Sequence, residues 1–386
     1  MWQSLGRRLE SVWYSPRHPM RWVLWPLELV YRLISIVRRN CYRLGIKKTA
    51  QLPVPVIVVG NVTVGGTGKT PCVIWLANQL KDRGLRVGCV SRGYGGNAAD
   101  GPRRVKGDSD PLEVGDEPVL IAAATGCAVM VDPDRVAAAR ALLDEKRLDV
   151  LIADDGLQHL ALGRTFEIAV IDGERGLGNE ACLPAGPLRE PAARLNHVDA
   201  VIVNGGDWGE GSVFRMKLVP DRVYQLAGKG QRSLSDFRDT IVHAVAGIGN
   251  PDQYFDMLQS EKIRVIPHAF HDHARFQPSD FEFEDKHPVL MTEKDAVKCR
   301  TFADARFWSV AVSLEFQGGD GEESGSCAGC SGIYELKARL YRCHPGALRL
   351  GPPAGEAARR YRRPADDRVG LRASLSERRI RVSRCD

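Results

Sequence analysis

Residues 60–71 read Gly-Asn-Val-Thr-Val-Gly-Gly-Thr-Gly-Lys-Thr-Pro and hold the densest chemistry in the chain. An apolar run from Val54 to Val59 leads in, and a helix-like stretch from Pro71 to Leu80 leads out. Strand, glycine-rich turn and helix N-terminus, in that order, make a phosphate cradle, because glycines let the backbone approach with its N–H groups pointing inward. The cradle residues are Thr63, Val64, Gly65, Gly66, Thr67, Gly68, Lys69 and Thr70. Lys69 can reach the β- and γ-phosphates and Thr70 can place its hydroxyl on Mg²⁺. The strict pattern wants glycine where Thr63 stands. A glycine-rich turn with a surface lysine is the bland alternative; the flanking strand and helix weigh against it. The expected chemistry is nucleoside triphosphate binding.

Leu148 to Gly156 is an apolar strand that ends in paired carboxylates, Asp154 and Asp155. Adjacent acids repel each other, so a cation or N–H donors must offset the cost, as at a Walker-B Mg²⁺ site. The same pair could merely cap a helix. Gln158 and His159 follow and could reach the same cleft. Gly115-Asp116-Glu117-Pro118 is a second acidic turn, equally readable as a helix cap. Arg92 follows a strand and can face phosphate or substrate; Arg189 is an anion-binding candidate or half of a surface salt bridge. His268, His271, Asp272 and His273 cluster within six residues and read as metal-binding, acid/base or a plain polar loop.

These motifs need a scaffold. Candidate strands are Val56–Gly60, Val87–Ser91, Ala128–Val131, Val150–Ala153, Ile168–Asp172 and Ala200–Val203, with helical stretches at Pro71–Arg83 and Asp134–Glu145 between them. Such alternation builds a parallel sheet with helices on both faces, whose ligands sit at the carboxyl ends of the strands. The fold class is therefore α/β, a P-loop NTPase-type doubly wound parallel sheet with a second, smaller α/β domain and an N-terminal interfacial helix. The expected division is a basic membrane-surface segment over 1–50, a P-loop core over 51–204, a smaller domain over 205–316 and an atypical tail over 317–386. Residues 214–228 read as one or two short strands; Val242 to Pro251 reads as strand, glycine turn and helix start. The tail is rich in Gly, Ser, Cys and Arg and reads as a disordered extension or the product of an altered reading frame.

Charge is unevenly spread. Residues 1–50 carry ten Lys/Arg against two acids, residues 317–386 carry fourteen against nine, and the body between is net −7 within an overall +6. An acidic body argues against a nucleic-acid enzyme, while the basic start suits an anionic membrane surface. Ten scattered cysteines fit reduced thiols better than a disulfide framework. Cys327 and Cys330 form a metal half-site without a partner pair at zinc spacing.

The apolar stretch 22–37 is too short to span a bilayer and is interrupted by Glu28 and Arg32. It lacks the cleavage site of a signal peptide. Pro26 suits a first helical turn, after which Leu27, Val30, Tyr31, Ile34 and Val37 line one face, with Glu28, Arg32, Ser35 and Arg39 opposite. Basic flanks and Trp13, Trp22 and Trp25 suit a helix lying in an interface, although a helix packed on the protein's own core would read similarly.

Taken together, the motifs at 60–71, 91–95, 115–118, 154–159, 183–190, 246–251, 270–273 and 291–298 closely resemble the tetraacyldisaccharide 4'-kinase family of Gram-negative bacteria, in family order from Trp13 to about Phe316. The resemblance implies ATP- and Mg²⁺-dependent phosphorylation of the 4'-hydroxyl of an acylated disaccharide lipid at the cytoplasmic face of the inner membrane, with no obligate protein partner. It implies that Lys69 and the loop amides hold the triphosphate, that Thr70 with Asp154 or Asp155 manages Mg²⁺, and that Glu117 stands beside the metal. Asp116 becomes the general base, His273 its support, and Arg189 a steadying cation for phosphate or substrate. A membrane-associated P-loop switch ATPase or GTPase acting on a protein partner is the alternative. Thr292-Glu293-Lys294-Asp295 echoes a guanine-specificity loop but lacks its Asn.

Overall fold

The computed structural model describes residues 9–15, 18–96, 101–209 and 213–317; the tail and the Cys327/Cys330 pair lie outside the described residues. The first half runs α1 (Met20–Arg43), β1 (Val56–Gly60), α2 (Lys69–Lys81), β2 (Val87–Ser91), β3 (Arg103–Val105), α3 (Pro111–Val114), α4 (Asp116–Thr125), β4 (Ala128–Val131), α5 (Arg135–Glu145), β5 (Val150–Asp154), β6 (Phe166–Asp172) and β7 (Ala200–Asn204). β1, β5 and β6 are buried along their whole length, as continuous Val/Ile/Ala runs require in a parallel sheet covered on both faces. β1 lies parallel between β5 and β6, with Val58 opposite Ala153 and Val59 opposite Ile168. Val73 and Leu76 of α2 and Ile121 of α4 fill one face; Leu142 of α5 fills the other. All six strands expected between 56 and 204 form, and β3 adds a short antiparallel edge.

The second half runs β8 (Phe214–Gln225), β9 (Gln231–Ser233), β10 (Ile241–Ala246), α6 (Pro251–Ser260), β11 (Arg264–Ala269), β12 (Val289–Thr292), α7 (Glu293–Cys299) and β13 (Phe307–Phe316). Where short strands are expected, β8 is one strand of 12 residues. It starts parallel to β7, with Asn204 opposite Met216, and continues antiparallel to β13. Pro220 does not end it; it faces Val312 at a register shift, the kind of irregularity where a strand tolerates proline. β8 thereby joins both halves into one 13-stranded sheet in the order β11-β10-β12-β13-β8-β7-β6-β1-β5-β2-β4-β3, with β9 on β8.

α1 departs from expectation in extent and orientation. It runs 24 residues, with Pro26 inside rather than in the first turn. Glu28 is buried and Tyr31, Ser35 and Arg39 are half-buried, so the mostly polar face packs on the protein. Leu27, Val30, Ile34 and Val37 are 57, 56, 61 and 52% exposed. Tyr31 belongs with Glu28 and Arg39 rather than with the apolar stripe, because its hydroxyl finds a protein acceptor there. No helix among the described residues is long and apolar enough to cross a membrane. Cys41, Cys72, Cys89, Cys127, Cys182 and Cys299 are free thiols.

Candidate active site

β1 feeds the glycine loop, and α2 begins at Lys69 behind Gly68, whose φ of 87° suits only glycine comfortably. The loop is held from one side by the 183–190 segment. Val64 N–H donates to Pro187 O at 2.9 Å, and Arg189 N–H donates to Val62 O at 2.7 Å. Thr63 is buried and bridged to Leu188, so its side chain does not line the cleft; Val64 to Thr70 do. Gly249, after β10, lies against the loop so closely that a Cβ there would stand 2.4 Å from Gly66 N. That close approach accounts for glycine at the end of the Gly-Ile-Gly turn.

β5 delivers the paired acids to different environments. Asp155 takes φ 49°, unusual for a non-glycine residue, which turns its carboxylate back toward Lys69 at 3.8 Å and Arg189 at 3.1 Å. Burial pushes its pKa up, but Lys69, Arg189 and Arg135 outweigh burial and hold it below the ordinary carboxylate value. Asp154 is 1% exposed. Ser91 Oγ donates to its Oδ2 at 3.3 Å, while Oδ1 is buried without a partner. Burial, then the charges of Glu117 and Asp155, push Asp154 up to about 7.

That orphaned oxygen beside two further acids marks a shortage of positive charge. The donors Asp154, Asp155, Glu117 and the Thr70 hydroxyl are all oxygen, which suits a hard cation such as Mg²⁺. Among the described residues no three His/Cys/Asp/Glu side chains form a ready-made cage. Mg²⁺ needs none, since it is commonly held by one or two carboxylates plus substrate phosphates.

The other wall draws on both halves. Asp116 opens α4 and is 4% exposed. Its Oδ1 accepts the Glu117 N–H at 2.9 Å, and His273 Nδ1 lies 3.0 Å from the same oxygen. Burial raises the Asp116 pKa, but the His273 hydrogen bond and the charges of Lys294 and Lys298 outweigh it, so the carboxyl stays ionised. Burial opposes His273 charging, yet Asp116 holds its pKa above the ordinary value. Tyr94 packs on the His273 ring with centroids 4.9 Å apart.

Two lysines absent from the sequence-derived site complete this wall. Lys294 Nζ is 3.1 Å from Glu117, 2.9 Å from Asp272 and 3.3 Å from His273 Nε2. Burial would lower its pKa, but Glu117, Asp272 and Asp116 raise it further. Lys298 Nζ sits 2.7 Å from Asp295 and 3.7 Å from Asp116. Lys294 carried a signal, because a lysine in the first turn of a short helix opposes its dipole and needs a tertiary partner; Lys298, in the last turn, suits the dipole and carried none. Arg135, whose guanidinium donates to Asp155 O at 2.8 Å, carried no such signal.

Lys69, Thr70, Glu117, Asp155, Arg189, Asp272, His273 and Lys294 thus line one cleft of about 1920 Å³ between the halves. Asp116 and Asp154 lie just behind its wall. Arg92, Gln158 and His159 do not line it. Of the four residues clustered at 268–273, Asp272 and His273 reach the cleft, whereas His268 pairs with His243 at 2.9 Å and His271 is exposed.

Residues 20–324 match the family model described as tetraacyldisaccharide-1-P 4'-kinase. The tetraacyldisaccharide 4'-kinase of Nitrosococcus oceani is 50% identical over 302 residues, 78% of this chain and 88% of that one. Its counterpart from Azotobacter vinelandii is 49% identical over 310 residues, 80% of this chain and 93% of that one. Among solved structures, the "apo" form of LpxK from Aquifex aeolicus in complex with ATP aligns with a TM-score of 0.69 at 28% identity, covering 84% of this chain and 99% of that chain.

Proposed function

The chain belongs to the tetraacyldisaccharide-1-phosphate 4'-kinase family, and we propose that it works across the cleft between the glycine loop and the Asp116–His273 pair. It is a kinase of lipid A biosynthesis that moves the γ-phosphoryl group of ATP to the 4'-hydroxyl of a tetraacyldisaccharide 1-phosphate. The observation that carries the site assignment is that single cleft, with triphosphate-binding groups on one wall and, on the other, His273 backed by the ionised, buried Asp116.

In this scheme the backbone amides of 64–70 and Lys69 hold the triphosphate. Arg189 and Lys69 bracket Asp155, so both cations stand where transferring charge gathers. Thr70, Asp154, Asp155 and Glu117 would hold Mg²⁺, which supplies charge neutralisation for the phosphates when bound. The Asp116–His273 pair accepts the 4'-hydroxyl proton. His273 and Lys298 keep Asp116 ionised and ready, and Lys294 ties Glu117 to Asp272 and His273. A base so placed contributes about 10²–10⁴-fold.

The acceptor is acylated, so the enzyme must meet it at a lipid surface. The exposed Leu27, Val30, Ile34 and Val37 stripe, together with the basic flanks, supports a peripheral seat on the anionic cytoplasmic face of the inner membrane. A switch ATPase or GTPase is not favoured. Asp295, which a guanine-specificity loop would aim at the base, is fully buried and accepts the Gly247 N–H at 2.8 Å. The experiment is transfer of labelled γ-phosphate from ATP to detergent-dispersed tetraacyldisaccharide 1-phosphate, wild type beside Asp116→Asn. Lipid labelling by wild type and its collapse in the variant supports the scheme; unimpaired labelling by the variant removes Asp116 as the base.

A further inference from the structure

The polar face of α1 lands on the segment that carries Arg189. Glu28 Oε1 accepts the Cys182 N–H at 3.0 Å. The Tyr31 hydroxyl donates to the Arg189 carbonyl oxygen at 2.8 Å, and Gln158 Nε2 donates to the same oxygen at 3.2 Å. Arg38 donates to the Gln158 carbonyl at 3.1 Å, and Arg39 pairs with Glu190. On its other side, residue 189 is tied to the glycine loop through its N–H on Val62, and its guanidinium reaches Asp155. Residue 189 is therefore pinned at three points: its N–H by the phosphate loop, its carbonyl by α1 and its side chain by the acid beside Lys69.

We infer that Tyr31 is a positioning residue for phosphoryl transfer: by holding the Arg189 carbonyl it fixes where the Arg189 guanidinium points. The helix with the exposed apolar stripe is then also scaffold for the phosphate site. An arginine side chain turns about several flexible bonds, so its head is placed only if its backbone is. A shift of about 1 Å at a transferring group can cost on the order of a hundredfold in rate. Gln158 is the second donor to the same carbonyl, so loss of the tyrosine hydroxyl loosens residue 189 without freeing it.

This inference rests on the proposed role of Arg189, and the test separates the two. Tyr31→Phe, Arg189→Ala and the double variant are assayed in mixed micelles for kcat and for KM toward ATP and lipid. Sedimentation with phosphatidylglycerol vesicles reports membrane seating, and thermal melts report folding. Tyr31→Phe is expected to lower kcat about three- to tenfold, the effect of one lost hydrogen bond, with lipid KM, sedimentation and melting unchanged. In the Arg189→Ala background the same change is expected to have no further effect. An unchanged kcat in Tyr31→Phe overturns the inference, as does a full additional loss in the Arg189→Ala background, which would mean that the tyrosine acts elsewhere. If Arg189→Ala keeps wild-type kcat, the role of Arg189 fails and Tyr31 has nothing to position.

Discussion

His273 Nδ1 lies 3.0 Å from Asp116 Oδ1 across 157 positions of sequence, and that contact joins the two halves of the chain within one wall of the cleft. Lys294 reinforces it by bridging Glu117 and Asp272. The second half of the chain thus conditions the carboxylate that the first half supplies.

Replacing Asp116 by Asn keeps its shape and removes its charge. Steady-state assays are expected to show kcat reduced about 10²–10⁴-fold with KM for ATP little changed. His273→Ala should lose less, because the carboxylate survives. A His273→Ala variant worse than Asp116→Asn would reverse the assignment of the two.

Lys69→Ala removes a cation from the centre of the transferring charge. A loss of kcat of about 10³-fold or more is expected, larger than that from His273. Single-turnover measurements at saturating ATP distinguish this from weaker nucleotide binding.

Gly249 tests the contact between the halves. A Cβ at this position would stand 2.4 Å from Gly66 N, and backbone cannot yield as a flexible side-chain tip can. Gly249→Ala is therefore expected to displace the loop and raise KM for ATP about tenfold, with only a modest drop in melting temperature. Wild-type ATP affinity in this variant would show that the loops separate freely.

Glu293 gives a pH signature. Burial, with Asp221 adding, pushes its carboxyl from 4.5 up to about 7, although the Val312 N–H on Oε2 at 3.3 Å pulls the other way. An acid whose pKa folding raises leaves stability intact below the unfolded value and erodes it as pH climbs toward the folded one. Glu293→Gln keeps the acceptor and never ionises. Its melting temperature is expected to exceed wild type by about 2 °C at pH 8 and to match it at pH 4. A constant gap across pH would rule out titration of this group.

Val30→Glu and Ile34→Glu place charge in the exposed stripe of α1. Binding to anionic vesicles is expected to fall about tenfold or more, with melting temperature within about 1 °C of wild type, because neither side chain is in the core. A drop in stability instead would mean that the stripe packs on protein.

The parallel half was legible because its strands are short apolar runs, several of them ending at glycine or acid. Both cues are local: β1, β5 and β6 end at Gly60, Asp154 and Asp172, whereas β2 and β7 end at Ser91 and Asn204 and rest on the apolar run. β8 was not, since a strand that contains Pro220 and changes partners midway is set by its neighbours rather than its own pattern. The phosphate loop carries a spaced signature. The pairing of Asp116 with His273 does not, because two residues far apart in sequence meet only once the sheet is continuous. Lys294 and Lys298 were visible as residues, but their pairing with acids at the cleft was not, because Glu117, Asp272 and Asp116 lie outside their helix. The orientation of α1 failed to read because Glu28, Tyr31 and Arg39 find buried partners that periodicity alone does not reveal.

The thinness of α1 has a consequence for how far the acceptor must travel. A helix with its side chains is about 10–12 Å across, and here one flank holds the carbonyl of Arg189 while the other is bare hydrocarbon. With that flank resting at the acyl boundary, the reacting phosphate stands roughly one helix width above the chains, only a few Å beyond polar regions that add about 5–8 Å per side. The sugar needs to rise by only a few Å to react, and the acyl chains can stay in the bilayer.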